Sequence, residues 1–110
     1  MTTKTRRPAS ISHEEVVIEL LAKDPAFTLE YLSGLLEDGT TDELLLGLRR
    51  VTRAHGGVAK VAAKAKLNPT SLYRTLSAKG NPELRGLTAL LGAMGMRLAV
   101  QPIPKATRRK

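Results

Sequence analysis

The stretch VAKVAAKAKLNPTSLYRTLSAKG, Val58–Gly80, decides the fold. Val61, Ala62 and Ala65 fall at helical spacing in its first half, and Ala62 is small enough to let another helix approach closely. A second helix-start signal follows almost at once. Asn68 is a preferred N-cap, and Pro69 suits the first helical position, where a missing N–H leaves nothing unsatisfied. One helix must therefore end and the next begin within about three residues. Helices joined this tightly cannot lie antiparallel. They cross steeply in a helix-turn-helix, with Val61, Ala65, Leu67, Leu72 and Leu76 directed at a shared core.

The exposed side of the second helix then carries Thr70, Ser71, Tyr73, Arg74 and Ser77. A helix-turn-helix presents the N-terminal part of this helix to the major groove, where short polar side chains and Arg reach base edges. Arg74 is the residue suited to bidentate contact with a guanine. Thr70 and Ser71 are placed for base or phosphate, and Asn68 for a contact beyond its cap. Ser77 and Lys79 are assigned to the DNA backbone. Tyr73 reads two ways, as a hydroxyl on a phosphate or as an aromatic within the packed surface. Lys60, Lys64 and Lys66, with Arg49, Arg50 and Arg53 further back, supply attraction to phosphates that is independent of sequence.

Upstream, Ser12 with Glu15 forms a capping-box pattern ahead of Val16, Val17, Leu20 and Leu21. Asp24-Pro25 starts another helix that runs to Gly39. Thr40 with Glu43 repeats the capping box, and Leu44, Leu45, Leu48 and Val51 form a stripe closed by Gly56-Gly57. Downstream, Gly80 ends the second helix of the pair. Asn81-Pro82 repeats the cap-plus-proline signal before Leu84, Leu87, Leu91 and Met94. The period then changes: Met96, Leu98 and Val100 alternate with Arg97, Ala99 and Gln101 until Pro102, which reads as a short strand. A lone strand needs a partner, either its own copy across a two-fold axis or another protein. The fold expected is all-α, a five-helix helix-turn-helix domain of the lambda-repressor type with a short C-terminal β-strand. Its boundaries are residues 12–101, with the helix-turn-helix at 58–79, a basic flexible arm at 1–11 and a basic disordered tail at 102–110.

Charge divides the chain. Its 110 residues carry a formal net charge of +8, but residues 12–47 hold nine acids and one base, whereas residues 48–110 hold fourteen bases and the single acid Glu83. The split suggests a polyanion as partner for the second half and a basic protein for the first, the alternative for the acidic half being to pair with the basic helices of its own chain. Three aromatic residues leave too few stacking platforms for a reader of single strands, so double-stranded DNA is the ligand expected.

The absences point the same way. Without Cys there is no disulfide scaffold, thiolate nucleophile or Cys-based zinc site, which suits a reducing, cytoplasmic location. No apolar run approaches the roughly 20 residues needed to cross a bilayer. His13 and His55 lack ligand spacing and read as surface residues, so no metal or cofactor is expected. No acid, base and nucleophile converge, and the chain is not expected to be an enzyme.

Residues Gly57–Val100 resemble the addiction-module antidote family, helix-turn-helix antitoxins of bacterial and prophage toxin-antitoxin operons. The likeness is carried by Val61-Ala62, Leu67-Asn68, Ser71-Leu72-Tyr73-Arg74, Leu76-Ser77, Gly80-Asn81-Pro82 and Gly95-Met96-Arg97-Leu98. The stretch from Asp24 to Gly57 is similar to longer members. The resemblance implies an operator-binding homodimer that represses its own operon and neutralises a RelE-like, mRNA-cleaving toxin. By position it makes Thr70, Ser71, Tyr73 and Arg74 the recognition-helix residues. Many members have Gly at the turn where this chain has Lys66, which predicts a turn that is less sharply left-handed.

Overall fold

Side chains that satisfy free backbone N–H groups set the start of each early helix in the computed structural model, which describes residues 12–77 and 79–104. Helix α1 (His13–Lys23) starts where Ser12 Oγ accepts from the Glu15 N–H at 3.1 Å. Helix α2 (Pro25–Asp38) starts where Asp24 Oδ1 accepts from the Phe27 N–H, with Pro25 at the first position. Helix α3 (Thr41–Ala54) has a complete capping box: the Glu43 N–H donates to Thr40 Oγ1 at 3.1 Å, and the Thr40 N–H donates to Glu43 Oε1 at 2.9 Å. Such caps are each worth about 0.5–2 kcal/mol and fix where a helix begins.

The turn into α4 (Val58–Ala65) needs two consecutive residues at positive φ, Gly56 at 111° and Gly57 at 100°. Side chains rarely tolerate that backbone, so the Gly-Gly pair is a steric requirement here. Helices α5 (Pro69–Leu76) and α6 (Leu84–Ala93) complete the described fold.

Helix α3 is the centre of the packing. It touches α1, α2, α4 and α5, while α6 packs on α4. Leu45, Leu48 and Val51 on α3 are almost wholly buried, each burial contributing about 1.5–3 kcal/mol relative to exposure. The main cluster joins Leu21 and Leu32 from the first two helices to Val61, Leu72, Leu76 and Leu91 from the last three. At the α1–α2 corner, buried Thr28 donates its hydroxyl to the Leu21 carbonyl at 2.9 Å, closing the end of α1.

Buried Thr52, also on α3, has a hydroxyl with no hydrogen-bond partner among the described residues. An unpaired buried hydroxyl costs about 1–3 kcal/mol, and valine has nearly the same shape without it. Thr52→Val is expected to raise unfolding stability by about 1 kcal/mol in urea denaturation; a loss of stability would show that the hydroxyl has a partner after all.

Four expectations are corrected. The helix count among the described residues is six rather than five: each of the six stretches that carry a helix signal, the short pair at 58–65 and 69–76 included, folds as a helix of its own. No strand occurs among the described residues, and Met96–Gln101 lies outside any ladder because no other described segment is extended beside it. The Asn81-Pro82 signal does not begin α6: Glu83 holds the N-cap position without a side-chain bond. Lys66 does not flatten the turn, since it adopts φ 59° and ψ 40°, fully left-handed. The hydrogen-bond pattern enforces that conformation, with the Leu67 N–H donating to the Ala62 carbonyl at 2.9 Å and the Lys66 N–H to Ala63 at 3.3 Å, the two bonds of a Schellman motif.

Holding a lysine there costs energy that glycine would not lose. Lys66→Gly is expected to stabilise the fold by up to about 1 kcal/mol, read as a raised Tm. A lowered Tm would indicate that the lysine stem contributes packing that outweighs backbone strain. The basic arm expected at 1–11 lies outside the described residues, as do residues 105–110 of the expected tail.

Candidate nucleic-acid interface

The α4–turn–α5 unit is locked at both ends of α5. At its start, Asn68 Oδ1 accepts from the Ser71 N–H at 3.0 Å, so the carbonyl arm of Asn68 is committed to the cap and only its amide NH2 remains for a ligand. At its end, the guanidinium of Arg49 on α3 donates to the Leu76 carbonyl. A cation at a helix C-terminus satisfies a free carbonyl and complements the helix dipole. Arg49, expected from its charge to attract phosphates, positions α5 in the structure. No local signal reveals this, because the partners lie 27 residues apart.

Leu72 and Leu76 point into the core, which turns Thr70, Arg74 and Ser77 to the opposite side of α5. All three are exposed. Tyr73 sits beside them at 66% exposure, which excludes it from the packed surface and leaves its hydroxyl accessible. Ser77 donates its Oγ–H to the Arg74 carbonyl at 2.8 Å, closing the last turn, so its hydroxyl is partly engaged.

Ser71 stands on another flank. With Thr75 it lines a cavity of about 310 Å³ walled by Leu48, Leu67, Leu87 and Leu90. The cavity exists because α5 and α6 both pack on α4 without packing on each other.

The cations also separate into two groups. Arg50 is bound within the fold: its Nε donates to Glu14 Oε1 at 2.8 Å, its second nitrogen reaches the same oxygen at 2.7 Å, and a third donates to the Tyr31 hydroxyl at 3.1 Å. This clamp joins α1, α2 and α3. The hydrogen bond from Arg50 holds the Glu14 carboxyl below its ordinary range, and the same contact with Glu14 raises the guanidinium further. The expected phosphate role of Arg50 is thereby replaced by a structural one, an instance of the acidic half pairing with its own chain.

Other cations among the described residues are exposed. Lys60 and Lys64 are four residues apart on α4 and share one flank, Lys66 is in the turn, Arg53 lies near the end of α3 and Lys79 follows α5. Glu83, itself exposed, is the one acid in the sequence after Glu43. A cationic surface around an exposed polar helix can attract phosphate generally and read bases through few side chains.

No helix among the described residues is long and apolar enough to cross a membrane. Comparison with protein families matches residues 14–102 to the family described as "Probable addiction module antidote protein". No match was found among curated proteins or among solved structures. The matched region spans all six helices and the terminal segment, and the family implies a toxin partner in general: the chain belongs to the addiction module antidote family.

Proposed function

We propose that the protein is a sequence-specific, double-stranded DNA-binding repressor that acts as a homodimer in the cytoplasm and autoregulates the operon encoding it and its toxin. The observation that carries this reading is the outward face of α5, where Thr70, Tyr73, Arg74 and Ser77 are exposed on a helix fixed at both ends. The surrounding Lys60, Lys64, Lys66 and Lys79 furnish the phosphate contacts, and Asn68 contributes its free amide group.

The RelE-like class of the toxin follows from the family resemblance. The acidic half supports the docking of a basic toxin. Leu29 and Leu36 are both substantially exposed on α2, each is followed directly by a glutamate, and α2 contains no Lys or Arg.

Affinity for upstream operon DNA measured across a salt series tests the repressor reading. A two-fold dimer is expected to protect two half-sites about 34 Å apart, with log affinity falling steeply against log salt concentration. A slope near zero contradicts docking on phosphates. Co-purification with the product of the adjacent reading frame tests the toxin arm separately. Failure there removes neutralisation while leaving DNA binding intact.

A further inference from the structure

The segment after α6 is incomplete within a single chain. Met96 and Leu98 are partly buried against the core, Arg97 and Ala99 face solvent, and Val100, next on the inward side of the alternation, is 99% exposed. No hydrogen bond joins the backbone of residues 97–103 to the described residues. An alternating segment with free backbone donors and acceptors is a template for another strand. Pro102, which has no N–H to give, sets its end.

We propose that Met96–Gln101 pairs antiparallel with the same segment of a second copy, across a two-fold axis at Leu98. This deepens the homodimer reading above and rests on it. Antiparallel self-pairing is the arrangement in which one sequence is its own complement, and two-fold dimers use the same patch on both subunits.

The register follows from bonds already made. The Met96 N–H is spent on the Leu91 carbonyl at 2.8 Å and the Gly95 N–H on Gly92 at 3.1 Å, so the ladder must use other donors. Centring the pair on Leu98 makes Arg97 and Ala99 of opposite chains exchange both of their hydrogen bonds. Leu98 opposite Leu98, and Met96 opposite Val100, are then non-hydrogen-bonded pairs, in which the Met96 N–H is not required. The same register sets Val100 beside the second copy's Met96, over that copy's core, which accounts for a bare valine on an inward-facing position. Charge is compatible, because Arg97 faces Ala99 and the two arginines do not oppose one another.

A six-residue ribbon covers less than the roughly 1,600 Å² of a standard interface, so a dissociable dimer with a Kd in about the micromolar range is expected.

The test uses sedimentation equilibrium on the full chain, wild type and Val100→Asp. Val100 makes no packing contact that the single chain needs, so the variant is expected to keep the wild-type circular dichroism while its dimer Kd rises by about 100-fold or more. Because the chain has no cysteine, Leu98→Cys offers one thiol per copy. Opposed at a Cα separation of about 4.5 Å, the two thiols are expected to oxidise to a covalent dimer, whereas Ala99→Cys is not. A Val100→Asp protein that dimerises like wild type overturns the ribbon and leaves the homodimer standing. A wild type that remains monomeric at hundreds of micromolar overturns both. Cross-linking through Ala99→Cys instead of Leu98→Cys overturns the register.

Discussion

Leu48→Ala is expected to remove about 2–5 kcal/mol of stability, the largest loss available from a single truncation at the centre of this core. Leu48 is 1% exposed on the helix that touches α1, α2, α4 and α5. Its side chain also forms one wall of the cavity beside α5, so deletion of the isobutyl group widens a space that already exists, and the surrounding helices cannot simply collapse into it. A domain of this size is held by roughly 5–15 kcal/mol in total, so Tm should fall by about 10–25 °C in thermal unfolding. Leu48→Met keeps most of the volume and should cost less than about 1.5 kcal/mol. A drop of only a few degrees for the alanine variant would mean that α3 is not the element on which the others rest.

Arg74→Ala carries the largest expected effect on binding. Arg74 is exposed on the outward face of α5, and its guanidinium makes no hydrogen bond among the described residues that competes with a base edge. If it reads a guanine, operator affinity should fall by about 1–3 kcal/mol, roughly 5- to 150-fold, with specificity relaxed at one base pair. Non-specific binding should change little, because the lysines of α4 and the turn remain. Competition between operator and random duplexes measures both. Equal losses on the two would reassign Arg74 to a phosphate. Stability should be unaffected, which separates this variant from any that act by unfolding.

Local chemistry made much of the fold legible in the sequence. Ser12, Asp24, Thr40 and Asn68 each act as the N-cap that their spacing to the following residues indicates, because a cap is decided within one helical turn. The inward stripe of α3 and the separation of α4 from α5 followed from periodicity and from the cap-plus-proline signal after the three residues between the two helices. Asn81-Pro82 carried the same local pattern and still failed to cap, since the chain enters α6 only at Glu83. Lys66 shows the reverse: local preference disfavours a left-handed lysine, but the two hydrogen bonds closing α4 hold it there.

The candidate site divides along the same line. The exposure of Thr70, Tyr73, Arg74 and Ser77 is legible because helical spacing alone separates them from the buried Leu72 and Leu76. Ser71 turned toward α6 because the placement of a separate helix determines what that flank meets. Arg49 and Arg50 read as phosphate ligands by charge, yet their partners Leu76, Glu14 and Tyr31 come from distant parts of the chain. Long-range contacts of this kind leave no trace in spacing.

The adjacency of those two arginines has a consequence for how the molecule can be dissected. One turn of α3 grips the acidic helices through Arg50 and the end of α5 through Arg49. The two electrostatic halves therefore share a single axle and are not separable modules. A fragment cut between them to separate the acidic part from the basic part would strand one grip or the other, and each piece would lose the scaffold that gives it shape.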